Sequence, residues 1–167
     1  MNTVIDRMAI EDDFYKQTSS VAQFNIGEEI TVAPDGVSIP TTYKYVKAAG
    51  KLEANQPYVL VNNADGVTTA APATSSVIKL IGIPQVECAT AYFGWVAIGG
   101  ACQAKTGIQA KGDTLEVING GTSLIVDGSS GSPAETANTV AISCEAAAAA
   151  GVVKVNLLNK RVAIAAS

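Results

Sequence analysis

No histidine occurs among the 167 residues of this chain. That absence removes the usual general acid–base group, the usual partner of a nucleophilic serine or cysteine, and the commonest metal ligand. Cysteine is scarce too. Cys88, Cys102 and Cys144 are odd in number, sit among apolar neighbours and show no Cys-x-x-Cys spacing. Such a set reads as buried free thiols, not as a disulfide framework or a metal site. Charge is sparse: 16% of residues are charged and 48% are apolar, which excludes a disordered acidic chain. The net charge is −4 with no basic stripe, so direct contact with nucleic acid is not expected. No apolar run approaches the ~20 residues needed to cross a bilayer, so no membrane partner is expected. Residues 1–13 contain Asp6, Arg7, Glu11, Asp12 and Asp13 and no continuous apolar block. They do not read as a secretory leader, and synthesis and folding in a cytoplasm are expected.

The motifs of small-molecule chemistry are missing as well. Gly99-Gly100 and Asn119-Gly120-Gly121 match neither a dinucleotide nor a phosphate-loop fingerprint. Asp35, Asp65, Asp113 and Asp127 each lie next to a glycine, but without the dense alternation of a calcium loop; they read as turn residues. Glu28-Glu29 and Asp12-Asp13 are sequence neighbours, the mark of a solvated face. The expectation is a protein with no catalytic residues, no cofactor and no bound metal.

What the chain does have is short apolar, β-branched and aromatic runs punctuated by Gly, Pro and Asp. Its length suits one domain that buries roughly 70% of the surface of the unfolded chain. Strands are predicted over residues 29–33, 41–48, 58–62, 77–83, 114–118, 122–126, 140–144 and 152–158. Residues 91–117 (AYFGWVAIGGACQAKTGIQAKGDTLEV) are the most informative stretch. Tyr92, Phe93, Trp95, Val96 and Ile98 form an aromatic run built for burial, and Gly99, Gly100 and Gly107 are expected to break it before a second run begins at Thr114. In residues 41–48, Tyr43, Tyr45 and Lys47 point to one face and Thr42, Lys44 and Val46 to the other. Pro34-Asp35-Gly36 reads as a turn, residues 67–76 as a loop, and residues 146–150 as a connection too short to nucleate a helix. Strands at this spacing without βαβ alternation predict an all-β, compact barrel or sandwich. The division is an N-terminal arm over 1–25, a β body over 26–158, and a tail over 159–167 with a short strand at 162–164.

The order of the pieces resembles the small head decoration, or cement, proteins of tailed bacteriophages. The likeness is carried by YKYVKAAGKL at residues 43–52, Tyr92-Phe93-Gly94-Trp95-Val96 with Gly99, Ile108 through Leu115 (IQAKGDTL), and the valine-rich run at 152–158. It spans about residues 24–158, and the order weighs more than any single motif. The resemblance implies a tulip-like β-barrel, often a homotrimer, bound outside the major capsid protein on the virion exterior and assembled in the host cytoplasm. Its implied partners are the major capsid protein and copies of itself. A cement protein needs stiffness, complementarity and many copies, because repetition turns a modest contact into avidity.

Two readings stay open for the aromatics. Trp95, Tyr92 and Phe93 either fill the core or supply anchors at a subunit interface, where Trp and Tyr are enriched. Tyr43 and Tyr45 share this ambiguity, with lysines flanking both. Phe14 and Tyr15, in the arm proposed to reach along a neighbour, complete the candidate interface set. Two other functions remain: a host-surface knob or fibre module that stacks Trp95 or Tyr92 on a carbohydrate, and a tail or neck protein of the same virion.

Overall fold

A computed structural model describes residues 14–33, 39–62, 68–72, 79–128 and 139–162. A 3-10 turn at Phe14–Lys16 leads into β1 (Thr18–Ser19), β2 (Glu29–Val32), β3 (Thr41–Ala48), β4 (Tyr58–Asn62), β5 (Thr68–Pro72) and β6 (Lys79–Pro84). There follow β7 (Phe93–Thr106), β8 (Thr114–Glu116), β9 (Ile125–Val126), β10 (Ala141–Ser143), β11 (Gly151–Leu158) and β12 (Arg161–Val162). The expected all-β barrel architecture is what forms. The predicted arm, body and tail boundaries map onto it as follows: described residues 14–25 of the arm lie on the body, and β12 opens the tail by pairing with β6. The turn read at Pro34-Asp35-Gly36 and the end of the tail strand beyond Val162 lie outside the described residues.

Five strands close on themselves. β6 pairs with β4, β4 with β5, β5 with β3, β3 with β7, and β7 returns to β6. The β3–β5 contact is parallel and the others are antiparallel. Closure leaves these strands no free edge within the ring. The ring is filled by Val46, Ala48, Tyr58, Leu60, Val96 and Ile98, one apolar cluster shared among β3, β4 and β7. Gly82 on β6 belongs to this packing: a Cβ there would stand 2.8 Å from Val96 and 3.0 Å from Leu60. The reciprocal backbone pair Leu52–Cys88, 2.9 Å in each direction, adds a tie beside the ring, and the Tyr58 hydroxyl accepts the Glu53 N–H at 2.7 Å.

Two expectations are corrected here. Residues 67–76 do not form a loop throughout, because Thr68–Pro72 is β5, paired on both sides. Gly99 and Gly100 do not end the aromatic strand, because β7 runs unbroken for 14 residues. What the glycines do is admit a bulge. Thr42 faces Gly99 while Tyr43 faces Ala97, so Ile98 is an extra residue on β7. Gly100 has φ +79°, and a Cβ on it would fall 1.7 Å from the Pro40 carbonyl oxygen, so only glycine fits.

One inserted residue reverses the side-chain phase. Before the bulge Trp95 and Ala97 face the larger of two core clusters; after it Cys102 and Ala104 do. The first half of β7 thereby belongs to the ring, and the second half carries a further sheet, β7-β11-β10-β8-β9. The inward residues of that sheet, among them Val153, Val155, Leu157 and Leu115, join Tyr43, Tyr45, Ile81, Ile83 and Trp95 from the outside of the ring in one continuous core.

Candidate interaction surface

The six candidate interface residues fall into three environments. Trp95 and Tyr45 are each 2% exposed, and Tyr43 is a buried core residue as well. Phe14 and Tyr15 are half-buried and pack against that core. Tyr92 stands apart, 39% exposed just before β7. The core reading therefore holds for Trp95, Tyr43 and Tyr45, and in the described chain none of these three offers a face to a partner.

Their burial is completed by the segment ahead of β2. Phe14 meets Trp95 edge-on at 5.6 Å and Tyr43 at 6.0 Å, and Tyr15 stacks on Tyr43 at 4.8 Å. Phe24 closes the other side, 5.1 Å from Trp95 and 5.2 Å from Tyr45, both edge-on. These are the offset and edge-to-face geometries aromatic rings favour. Backbone ties are few: β1 pairs Thr18 with Gly94 and Ser19 with Phe93, and the Gln23 N–H donates to the Tyr45 hydroxyl at 3.1 Å. Residues 14–24 thus form a strap across the outside of the ring, held chiefly by rings. Nothing in the sequence singles out Phe24, a lone aromatic in the mixed, aperiodic run Val21-Ala22-Gln23-Phe24-Asn25.

Two cavities lie along the strap. One of about 230 Å³ is bounded by Gln17, Thr18, Ser19, Gln23, Phe24 and Trp95, among others. The other, about 180 Å³, lies between Tyr15, Val32, Tyr43, Gln85 and Cys102. Uncharged amides and hydroxyls dominate the polar lining of the first. Trp95 borders that cavity but is all but inaccessible, with Phe14 and Phe24 packed on it in T-shaped contacts.

Cys88, Cys102 and Tyr43 are held neutral by their surroundings. Burial raises the Cys102 thiol far above its ordinary range, with Cys144 adding to the effect, and burial also raises Cys88. Tyr43 is pushed well above the ordinary tyrosine value, first by burial and then by Tyr15. A protonated thiol is a poor nucleophile and a poor metal ligand. Among the described residues, no cluster of three or more His, Cys, Asp or Glu side chains is placed to hold a metal ion, and no helix is long and apolar enough to cross a membrane.

No family model matches the chain, and no curated protein matches it. A solved structure does. The fold is similar to that of the N base of head fibre protein gp8.5 from bacteriophage phi29, with a TM-score of 0.51. The match covers 73% of this chain and 98% of that one at 12% sequence identity, a likeness of fold.

Proposed function

We propose that the chain is a structural protein of a bacteriophage particle, carried on the outside of the head, where it decorates the shell and braces neighbouring major capsid subunits. The observation that carries this reading is the match of fold to nearly the whole of a phage head fibre base. The body suits the task physically. A closed ring fused to a second sheet through one 14-residue strand is stiff, and a stiff body loses little entropy when it docks. Neither catalysis nor a cofactor is part of the proposal, and the head shell and further copies of the chain are its partners. Copy number tests it. Purified particles should contain the chain in numbers that scale with the shell; a handful of copies per particle would place it in the tail or neck.

A second reading is favoured by the same match. The chain then serves as the anchoring base of a head fibre, with binding to a host surface left to a distal part. Carbohydrate stacking on Trp95 finds no support in this geometry, and among the six candidates Tyr92 is the exposed aromatic, with Phe14 and Tyr15 half-buried. Glycan binding by the wild type that is lost in Tyr92→Ala, with the fold intact, would favour a host-surface role; a wild-type chain that binds no glycan would remove it.

A further inference from the structure

The polar side chains around the cavity of about 180 Å³ at the strap are Tyr15, Thr41, Tyr43, Gln85, Gln103 and Lys154. Sites that hold a drug-sized ligand run to ~300–1,000 Å³, so this one suits a single functional group. Which group it suits follows from the hydrogen bonds already made around it. The Gln85 amide is engaged at both ends by the Gln103 backbone. The Thr41 hydroxyl donates its proton to the Ala101 carbonyl. Two phenols and an ammonium remain.

All three are donors. Tyr43 keeps its proton, because burial and then Tyr15 hold its phenol well above the ordinary value. Tyr15, stacked on Tyr43 at 4.8 Å, makes no hydrogen bond through its hydroxyl among the described residues. Lys154 is half-buried, and among the described residues its ammonium makes no ion pair. Glu145 accepts the Lys154 backbone N–H at 3.2 Å, not a proton of the ammonium. No aspartate or glutamate among the described residues borders the cavity. Lys16, 5.6 Å from the centroid of the Tyr15 ring, adds positive charge on the same side.

A lining with one cation, two phenolic donors and no carboxylate is complementary to an acceptor that carries one negative charge. A carboxylate is such a group: it accepts only, through two oxygens, and its hydrogen bonds to an ammonium or a hydroxyl are charge-assisted. A neutral amide brings donors of its own to a lining already rich in them. A phosphate dianion carries more charge than one ammonium balances.

We propose that this cavity is a carboxylate-binding site, with the Lys154 ammonium and the Tyr15 and Tyr43 hydroxyls as its donors. The proposal does not depend on where in a particle the chain sits. Two sources supply the same chemistry. One is a carboxylate of another molecule. The other is the acidic run Glu11-Asp12-Asp13 of this chain, outside the described residues and two to four positions ahead of Tyr15 in sequence.

The test is a titration of the full chain with sodium acetate at pH 7, where acetate is ionised. Chloride holds the ionic strength constant, so that simple screening produces no signal. NMR follows the backbone amides of Cys102 and Gln103 and the side chain of Lys154. A second chain carries Glu11→Gln, Asp12→Asn and Asp13→Asn. For a carboxylate supplied by another molecule, both chains bind acetate saturably. For a cavity filled by the acidic run, the triple substitution itself shifts the Lys154 signals, and acetate binds the substituted chain but not the wild type. In whichever chain binds, Lys154→Met should weaken acetate about tenfold and Tyr15→Phe about threefold. An unchanged Trp95 emission shows that each variant keeps its fold. The inference is overturned if neither chain binds acetate. It is equally overturned if both Lys154→Met and Tyr15→Phe leave the binding unchanged, or if inorganic phosphate binds more tightly than acetate.

Discussion

The side-chain amide of Gln85 sits where a neighbouring strand would sit against Gln103. Its Oε1 accepts the Gln103 N–H at 3.0 Å, and its Nε2 donates to the Gln103 carbonyl at 3.1 Å. The rest of that edge of β7 is closed in kind. The Thr41 hydroxyl donates to the Ala101 carbonyl, the Lys105 N–H donates to the Asn55 carbonyl at 2.7 Å, and the Leu124 N–H donates to the Lys105 carbonyl at 2.8 Å. Beyond the bulge β7 has lost β3 as a partner, and side chains and loop backbone replace it. An unprotected edge is a template for unwanted pairing.

Gln85→Ala removes both hydrogen bonds at Gln103 together. The cost should be about 1–2 kcal/mol, read as a fall in melting midpoint of about 2–8 °C for a domain of this size. Gln85→Glu keeps an acceptor for the N–H but loses the donor, so it should lie between wild type and alanine. A Gln85→Ala chain as stable as wild type would show that the amide does not hold this edge.

The bulge makes a paired prediction about glycine. Gly100 and Gly112 both have positive φ, +79° and +92°, but a Cβ at Gly112 meets open space while one at Gly100 strikes the Pro40 carbonyl. Gly112→Ala should cost about 1–2 kcal/mol, the price of the left-handed backbone alone. Gly100→Ala should cost appreciably more and shift the register of β3 against β7, read by chemical denaturation and by backbone NMR shifts around Thr42. Equal costs at the two sites would contradict the bulge.

Trp95 is the sole tryptophan, so its emission reports on the strap. The folded chain should emit at short wavelength, and Phe24→Ala should shift the emission to the red by uncovering the indole. Because Phe24 is half-buried, the stability cost should be about 2 kcal/mol, below the range for a fully buried phenylalanine. Tyr92→Ala, on an exposed ring, should leave emission unchanged and stability within about 0.5 kcal/mol. A red emission maximum in the unmodified chain would contradict the closed strap.

Stability should be lost on the alkaline side. Burial raises Tyr43 and Tyr58 above 10.0, and Cys88 and Cys102 above 9.0. In the unfolded chain these groups release protons near their ordinary values, while the fold retains them. The stabilisation is therefore complete below about pH 9 and falls as pH rises beyond it. Denaturant midpoints should be insensitive to these groups between pH 7 and 8.5 and decline above pH 9. Tyr43→Phe should flatten part of the decline; an unaltered slope would show that Tyr43 does not titrate with unfolding.

Much of the strand pattern was legible locally. Thr41–Ala48 and Tyr58–Asn62 occur at their predicted bounds, because each is a run rich in β-branched and aromatic residues that ends at a turn signal. Thr68–Pro72 was not legible: threonine, alanine and proline give little contrast, and that strand is defined by its partners β3 and β4. Gly99-Gly100 fits a turn and a bulge equally well in sequence. The choice is made by β11, some fifty residues later, which pairs with residues 99–106 and keeps the strand going. Ring closure through Ile83–Ala97 and Pro84–Val96 is likewise non-local. For the aromatics, residue type indicated burial but not what would cover them; Phe14 and Phe24 settle that by packing on Trp95.

The most direct measurement is a cryo-electron-microscopy reconstruction of purified particles produced from the genome that encodes this chain. The account predicts density for the five-stranded ring and its attached sheet at regular positions on the outer surface of the head. Particles whose heads carry no such density, or that hold the chain only in the tail, would contradict it.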